Sequence, residues 1–159
     1  LEQPYVKRAV AVDQYDHDGG NSPGDDDGFL TVYVYGAGAA LTADQKSELQ
    51  TAMQAQCASI LTMTVEHATS VSVNVTAAIT KATGYDTDEL EAAIEDALAS
   101  VWSWQTSGFG ADVEPLDVQA VIEAVPGVDS VTSLTLPSTT AAVAFDEFAV
   151  IGTVSLTIT

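Results

Sequence analysis

Positive charge is the scarcest feature of this chain. Its 159 residues contain only four Lys and Arg against 23 Asp and Glu, which gives a formal net charge of −19 at pH 7. Such a surface repels the phosphate backbone of nucleic acids, and it equally repels the headgroups of an anionic membrane. The composition therefore argues against a function in binding nucleic acid or a membrane surface.

Cysteine and histidine are nearly absent, which removes several kinds of catalytic and metal site. The single cysteine, Cys57, cannot form an intrachain disulfide or a thiolate metal cluster, and we expect it to be a free buried thiol. A cysteine nucleophile would need a histidine and an orienting group, yet only His17 and His67 are available. Glu66 precedes His67, but no further carboxylate or histidine follows at metal-ligand spacing. We therefore predict no catalytic, cofactor-binding or metal-binding residues and no enzymatic activity.

Long apolar runs are also missing. No stretch of 18 apolar residues occurs, so no transmembrane helix is predicted, and the first residues lack the pattern of a signal peptide. The chain begins at Leu1 rather than at a methionine, and we interpret it as a processed or truncated piece of a longer protein.

The acidity itself has two possible sources. Intrinsic disorder is one, but disordered chains are poor in apolar residues, and this chain is 47% hydrophobic. Adaptation to high salt explains it better, because at about 1 M salt the Debye length falls to about 3 Å and crowded carboxylates no longer repel at range. Scarce Lys with abundant Ala, Thr, Ser and Val is typical of halophilic archaeal proteins. We therefore predict a halophilic source.

The most regular stretch of the chain begins at Val71. Apolar and polar residues alternate from there to Thr80, which is the period of a half-buried strand. Asp86, three residues ahead of Glu89, then predicts the N-cap of an acidic helix. The inward face of this helix is expected to carry Leu90, Ile94, Ala97, Leu98 and Val101.

Further elements complete this part of the chain. A second helix is expected to begin near Pro115, because a proline is tolerated in a first helical turn. It should end at 125–127, before a strand that begins at Val128. Clean alternation predicts a last strand over 149–159, which must be paired or covered because it otherwise offers an open edge.

The first part of the chain predicts strand, strand, helix, strand. Strands over 5–13 and 30–35 are expected to pair as a hairpin. Thr42 and Gln45 form a capping box for a helix that reaches about Gln56, and an extended segment follows from Leu61.

A polar run over 16–28 joins the first two strands. Its five Asp provide the oxygen ligands that Ca²⁺ prefers, but their spacing differs from that of the twelve-residue calcium loop, which ends in Glu. A solvated hairpin tip is the favoured interpretation, and cation binding is the alternative.

The predicted fold class is therefore α+β. We expect two small modules, 1–68 and 69–159, each with helices packed on one face of a mainly antiparallel sheet. The first is predicted as strand-strand-helix-strand and the second as β-α-α-β-β.

Three aromatic residues follow the acidic helix: Trp102, Trp104 and Phe109. They are expected either to cap the core, which we favour, or to form a subunit contact, because aromatic residues concentrate at interface hot spots. They are the candidate interface residues of the chain.

Several phrases of the sequence occur in an order that is characteristic of one family. They are the turn 84–86, the acidic helix 90–95, the phrase 122–131 and the strand 149–154, preceded by the segment 31–36. Together they resemble the J-like baseplate proteins, the wedge family of contractile phage tails and related injection systems. The resemblance extends from roughly Phe29 to the end of the chain.

The resemblance implies a structural role. The chain would be a wedge subunit of the tail baseplate in a virion, would bind other wedge and tail proteins and copies of itself in a ring, and would take part in triggering contraction. With the acidity, it indicates a tailed virus, or a related contractile device, of a salt-loving archaeon. An alternative is a receptor-binding or cell-surface binding module of a halophile, with a ligand face open to solvent. A second alternative is an acidic hydrolase, although helix capping already explains carboxylates such as Asp86.

Overall fold

The computed structural model describes residues 5–13, 24, 27–36, 40–56 and 61–159. The chain divides into two compact units, Leu1–Thr69 and Ser70–Thr159, called unit 1 and unit 2 below. Cys57, His17 and most of the Asp-rich run lie outside the described residues.

Unit 1 contains a three-stranded sheet with the order β1-β2-β3. Its elements are β1 Arg8–Asp13, β2 Phe29–Tyr35, α1 Ala43–Gln54 and β3 Thr62–His67. The predicted hairpin is confirmed, because β1 and β2 pair antiparallel. β2 and β3 instead pair parallel, since α1 lies between them in the chain and carries it back to the starting edge of the sheet. The α+β class is thus confirmed, and the sheet is mixed where an antiparallel majority was predicted.

The helix of unit 1 begins at the capping box predicted from sequence. The Gln45 N–H donates to Thr42 Oγ1 at 3.3 Å, and the Thr42 N–H donates to Gln45 Oε1 at 2.9 Å. Leu49 is the buried residue of α1. It packs in a core that also contains Val32, Val34, Leu41, Met63 and Val65.

Side chains of α1 cover the free edge of β3. Gln54 accepts from the Met63 N–H and donates to the Leu61 carbonyl, both at 2.7 Å. One turn earlier, Gln50 accepts from the Val65 N–H at 3.4 Å. One turn before that, Lys46 forms a salt bridge with Glu66 at 2.9 Å. Gln50 and Gln54 thus occupy backbone groups that another strand would otherwise pair with, and Lys46 continues the stripe through the side chain of Glu66.

Unit 2 has the predicted order β-α-α-β-β. Its elements are β4 Thr69–Lys81, α2 Thr87–Val101, α3 Pro115–Glu123, β5 Val128–Leu136 and β6 Glu147–Ile158. The sheet order is β5-β4-β6. β4 and β5 pair antiparallel, with three register shifts. Thr159 donates to Ile79 and accepts from Lys81, both at 2.9 Å, which is the parallel pattern, so this sheet is mixed as well.

The core of unit 2 follows the predicted periodicity. Every second residue of β4 from Val73 to Ile79 is buried, and α2 contributes Leu90, Ile94 and Leu98. Full burial of one Val, Leu or Ile side chain contributes about 1.5–3 kcal/mol, so the buried face of β4 contributes substantially to the stability of unit 2. Val101 differs from the prediction, because it is 41% exposed as the last residue of α2.

Two turns of unit 2 contact each other. Asp86 is the N-cap of α2, and its Oδ1 accepts from the N–H groups of Asp88 and Glu89 at 2.9 and 3.2 Å. The preceding residue, Tyr85, lays its ring over Gly127, which has a φ of 104°. The Ala82 N–H donates to the Gly127 carbonyl at 2.8 Å. The turn before α2 and the turn after α3 are therefore held together by one ring and one hydrogen bond.

Candidate interaction surface

Trp102 follows the last residue of α2 and joins the end of that helix to the sheet. Its side chain is 8% exposed and belongs to the core of unit 2. Its N–H donates to the Leu98 carbonyl at 3.0 Å, and its carbonyl accepts from the Ile151 N–H at 3.1 Å. The second bond fixes the chain that leaves α2 against the first half of β6.

Trp104 is half-buried and lines a groove beside β6. The groove has a volume of about 350 Å³, with the end of α2 on one side and β6 on the other. Its lining residues are Glu95, Ala99, Trp102, Ser103, Trp104, Val150, Ile151, Gly152 and Val154. An aromatic side chain beside apolar strand residues is the composition found at the centre of protein interfaces.

Phe109 packs elsewhere. Its ring meets that of Phe148 edge to face, with centroids 5.7 Å apart and planes at 81°. The next residue, Gly110, donates its N–H to the Glu147 carbonyl at 3.0 Å. Of the three aromatics predicted from sequence, Trp102 and Trp104 thus share the groove, and Phe109 is not among its lining residues. Their role as an interface stays a prediction.

The groove lies beside α2, a helix whose charged residues are all acidic. α2 contains five acidic residues, Asp88, Glu89, Glu91, Glu95 and Asp96, and no basic residue. The first two lie in the first turn, where the helix dipole favours negative charge. Glu95 lies beyond that turn, is exposed, and has no ion pair within the part of the chain that the structure describes. The groove therefore presents an uncompensated carboxylate to an approaching partner.

The second half of β6 forms an open edge of the sheet. Thr159 directs its backbone groups towards β4, and alternate residues of a strand direct theirs to opposite edges. Val154, Leu156 and Ile158 therefore point their N–H and C=O groups away from β4. None of the described segments provides a hydrogen-bond partner for these groups.

The remaining candidate residues do not converge on a chemical site. His67 ends β3, and its buried Nδ1 lacks a hydrogen-bond partner in the described part of the chain. Residues 5–13, 24, 27–36, 40–56 and 61–159 contain no group of three His, Cys, Asp or Glu arranged to hold a metal ion. Among the same residues, no helix is long and apolar enough to cross a membrane.

The comparisons with known proteins place the chain in a family. The model of the family described as "Baseplate J-like protein C-terminal domain" matches residues 73–157, which is more than half of the chain. This chain belongs to the baseplate J-like family. The matched region contains both turns that Tyr85 joins, both helices over the sheet and almost all of β6. The resemblance predicted from sequence is thus confirmed. No curated protein matches the chain.

A solved structure shares the fold. It is the cryo-EM structure of the anti-feeding prophage (AFP) baseplate, 6-fold symmetrised, with a TM-score of 0.63 and 17% sequence identity. The match covers 94% of this chain and 34% of the AFP chain, so this chain spans about one third of the length of the protein it resembles. At this identity, the likeness shows the fold.

Two surface features were not predicted from sequence: the groove beside β6 and the side-chain stripe on α1. Glu95 and Ala99 lie four residues apart, and Trp102 follows three residues later, so helical spacing already places them on one side of α2. That spacing was the available signal for the groove. The stripe on α1, formed by Lys46, Gln50 and Gln54, has the same spacing of four residues.

Proposed function

We propose that the chain is part of a structural subunit of a contractile-tail baseplate, a J-like wedge protein located in the tail of a virion. The observation that carries the proposal is the family match over residues 73–157, the region that contains the groove and most of the open edge of β6. The role is assembly rather than chemistry. The chain would contact other wedge and tail proteins and copies of itself in a ring.

The mechanism that we propose is mechanical. A baseplate must hold one arrangement until host contact and then adopt another, so that the sheath contracts. This requires subunit interfaces with two stable packings rather than a catalytic pocket. Trp102 and Trp104 are our candidates for such an interface, because they line an apolar groove that meets the open edge of β6 at Val154.

We also propose that the chain works in concentrated salt, in a tailed virus of a salt-loving archaeon. The support is compositional, with 23 acidic residues against four basic ones. The five carboxylates of α2 without a cation on that helix repel one another in dilute buffer and are screened at high ionic strength.

The proposal is tested by immunogold labelling of native particles kept in high salt, with an antibody raised against this chain. We expect gold at the end of a contractile tail. Gold on fibre tips would favour a receptor-binding module instead. Gold on cell envelopes, with none on particles, would refute the baseplate role.

A further inference from the structure

The two sheets of this chain differ in whether an edge strand is covered by side chains. In unit 1, the free edge of β3 is covered by Gln50 and Gln54, whose side chains bind the backbone of 61–65. In unit 2, the edge of β6 from Val154 to Ile158 has no such cover among the described residues. Uncovered edges pair readily with foreign strands, and proteins usually protect them with lysine, proline, bulges or a covering element. Over 148–159 the sequence contains neither a charge nor a proline.

The open edge and the groove are continuous. Val154 belongs to both, because it lines the groove and also directs its backbone groups away from β4. A strand added beside β6 would therefore bring alternate side chains over Trp104 and towards the end of α2. Main-chain hydrogen bonds supply affinity in this mode of recognition, and pockets for alternate side chains supply specificity.

The charge of the groove selects among possible occupants. Glu95 is exposed beside the edge and has no ion pair within the described residues. A second copy of this chain would bring no cation on its β6, and it would place its own acidic α2 near this one. A strand that carries a lysine or arginine would instead pair with Glu95.

We propose that the β6 edge binds an extended strand of a different protein, with an apolar side chain against Trp104 and a basic side chain at Glu95. The inference deepens the assembly role proposed above, since it names the chemistry of the partner. Its binding test uses no particle, so it can fail or succeed independently of the immunogold result.

The test uses two synthetic peptides of alternating valine and threonine, one with a central lysine and one with a central glutamate. Methylation of alternate backbone nitrogens leaves each peptide a single pairing edge and prevents its self-association. Binding is measured by the fluorescence of Trp102 and Trp104, the only two tryptophans of the chain, at a salt concentration where the chain is folded. We expect the lysine peptide to bind roughly two- to fivefold more tightly than the glutamate peptide, because an attraction is replaced by a repulsion and the salt weakens both.

Variants separate the edge from the groove. Val154→Pro removes an outward N–H, and proline is compatible with a free edge, so we expect loss of binding with the fold retained. Val154→Ala is the matched control, because it shortens the same side chain and keeps the N–H. Glu95→Gln should reduce the preference for lysine without abolishing binding.

Hydrogen exchange provides a second measurement. The amides of Val154, Leu156 and Ile158 should exchange rapidly in the free chain and become protected by the lysine peptide. The proposal is overturned if neither peptide binds, if Val154→Pro binds like Val154→Ala while folded, or if these amides are already protected. It is also overturned if light scattering shows that the chain itself dimerises through this edge and excludes the peptide.

Discussion

The contact between Tyr85 and Gly127 allows a quantitative test of the packing of unit 2. Gly127 has a φ of 104°, where a residue with a Cβ is strained, and a Cβ built at this position overlaps the Tyr85 ring. Gly127→Ala therefore has two costs. The backbone strain is about 1–2 kcal/mol. Displacement of the ring adds about 1 kcal/mol, at the low end of overpacking costs, because the ring is 46% exposed and can swing into solvent.

The chain contains a matched control for the first cost. Gly84 has a φ of 95°, and a Cβ built there meets nothing within 4 Å. Gly84→Ala should therefore cost only the strain of about 1–2 kcal/mol. Both substitutions also reduce the entropy of the unfolded chain to a similar extent, so this contribution cancels in the comparison.

A double-mutant cycle isolates the second cost. In a Tyr85→Ala background, Gly127→Ala should cost about 1 kcal/mol less than in the parent chain, because no ring remains to be displaced. Urea unfolding followed by tryptophan fluorescence is the assay, and it reports on unit 2 because Trp102 and Trp104 both lie there. Equal costs for Gly127→Ala and Gly84→Ala, or a cost unchanged by Tyr85→Ala, would refute the assigned contact.

Three further predictions follow from charge, edge protection and capping. Transfer from about 2 M to about 0.1 M KCl should lower the unfolding temperature by at least about 5 °C, measured by circular dichroism, because the carboxylates are no longer screened. Replacing Gln50 and Gln54 together by alanine should expose the β3 edge and cause self-association, measured by light scattering. Asp86→Ala should reduce the free energy of unfolding by about 1 kcal/mol in urea titrations, since two N–H groups of α2 lose their acceptor.

Each of these predictions has its own control. NaCl at the same ionic strength should restore the unfolding temperature as KCl does, because screening depends on ionic strength, and a response to K⁺ alone would contradict it. Replacement of Ser47 and Thr51, on the same helix, should leave the chain monomeric, so aggregation of both pairs would contradict edge protection. Asp86→Asn keeps the acceptor oxygen, and a loss as large as that of Asp86→Ala would contradict the capping role.

The parts of the fold predicted correctly from sequence are those set by local pattern. The alternation over 71–80 and the capping residues Thr42 and Asp86 each depend on neighbours within a few residues, which the sequence displays directly. The parallel pairing of β2 with β3 has no such local signature, because it depends on where α1 carries the chain.

In the candidate site, too, features that depend on packing were not predicted from the local sequence. Trp102, Trp104 and Phe109 are close in sequence, which suggested one cluster. The backbone turns between them, where the Ser107 N–H donates to the Ser103 carbonyl at 3.0 Å, and Phe109 is directed to Phe148 instead. Glu95 was not predicted as part of this surface, because its place in the groove depends on how α2 packs beside β6. A groove between two elements results from their packing, so it cannot be predicted from the residues of either element alone.

The distribution of charge in unit 2 connects the proposed salt adaptation with the proposed assembly role. The helix α2 has five carboxylates and no cation, whereas β6 has Glu147 at its first residue and no charge beyond it. Electrostatic repulsion in dilute buffer therefore acts on the helix layer, and main-chain pairing along β6 is comparatively insensitive to ionic strength. A partner strand would be held by hydrogen bonds that salt does not screen, with Glu95 adding selectivity that weakens as salt rises. Assembly through this edge would thus persist at the high ionic strength that we propose for this chain.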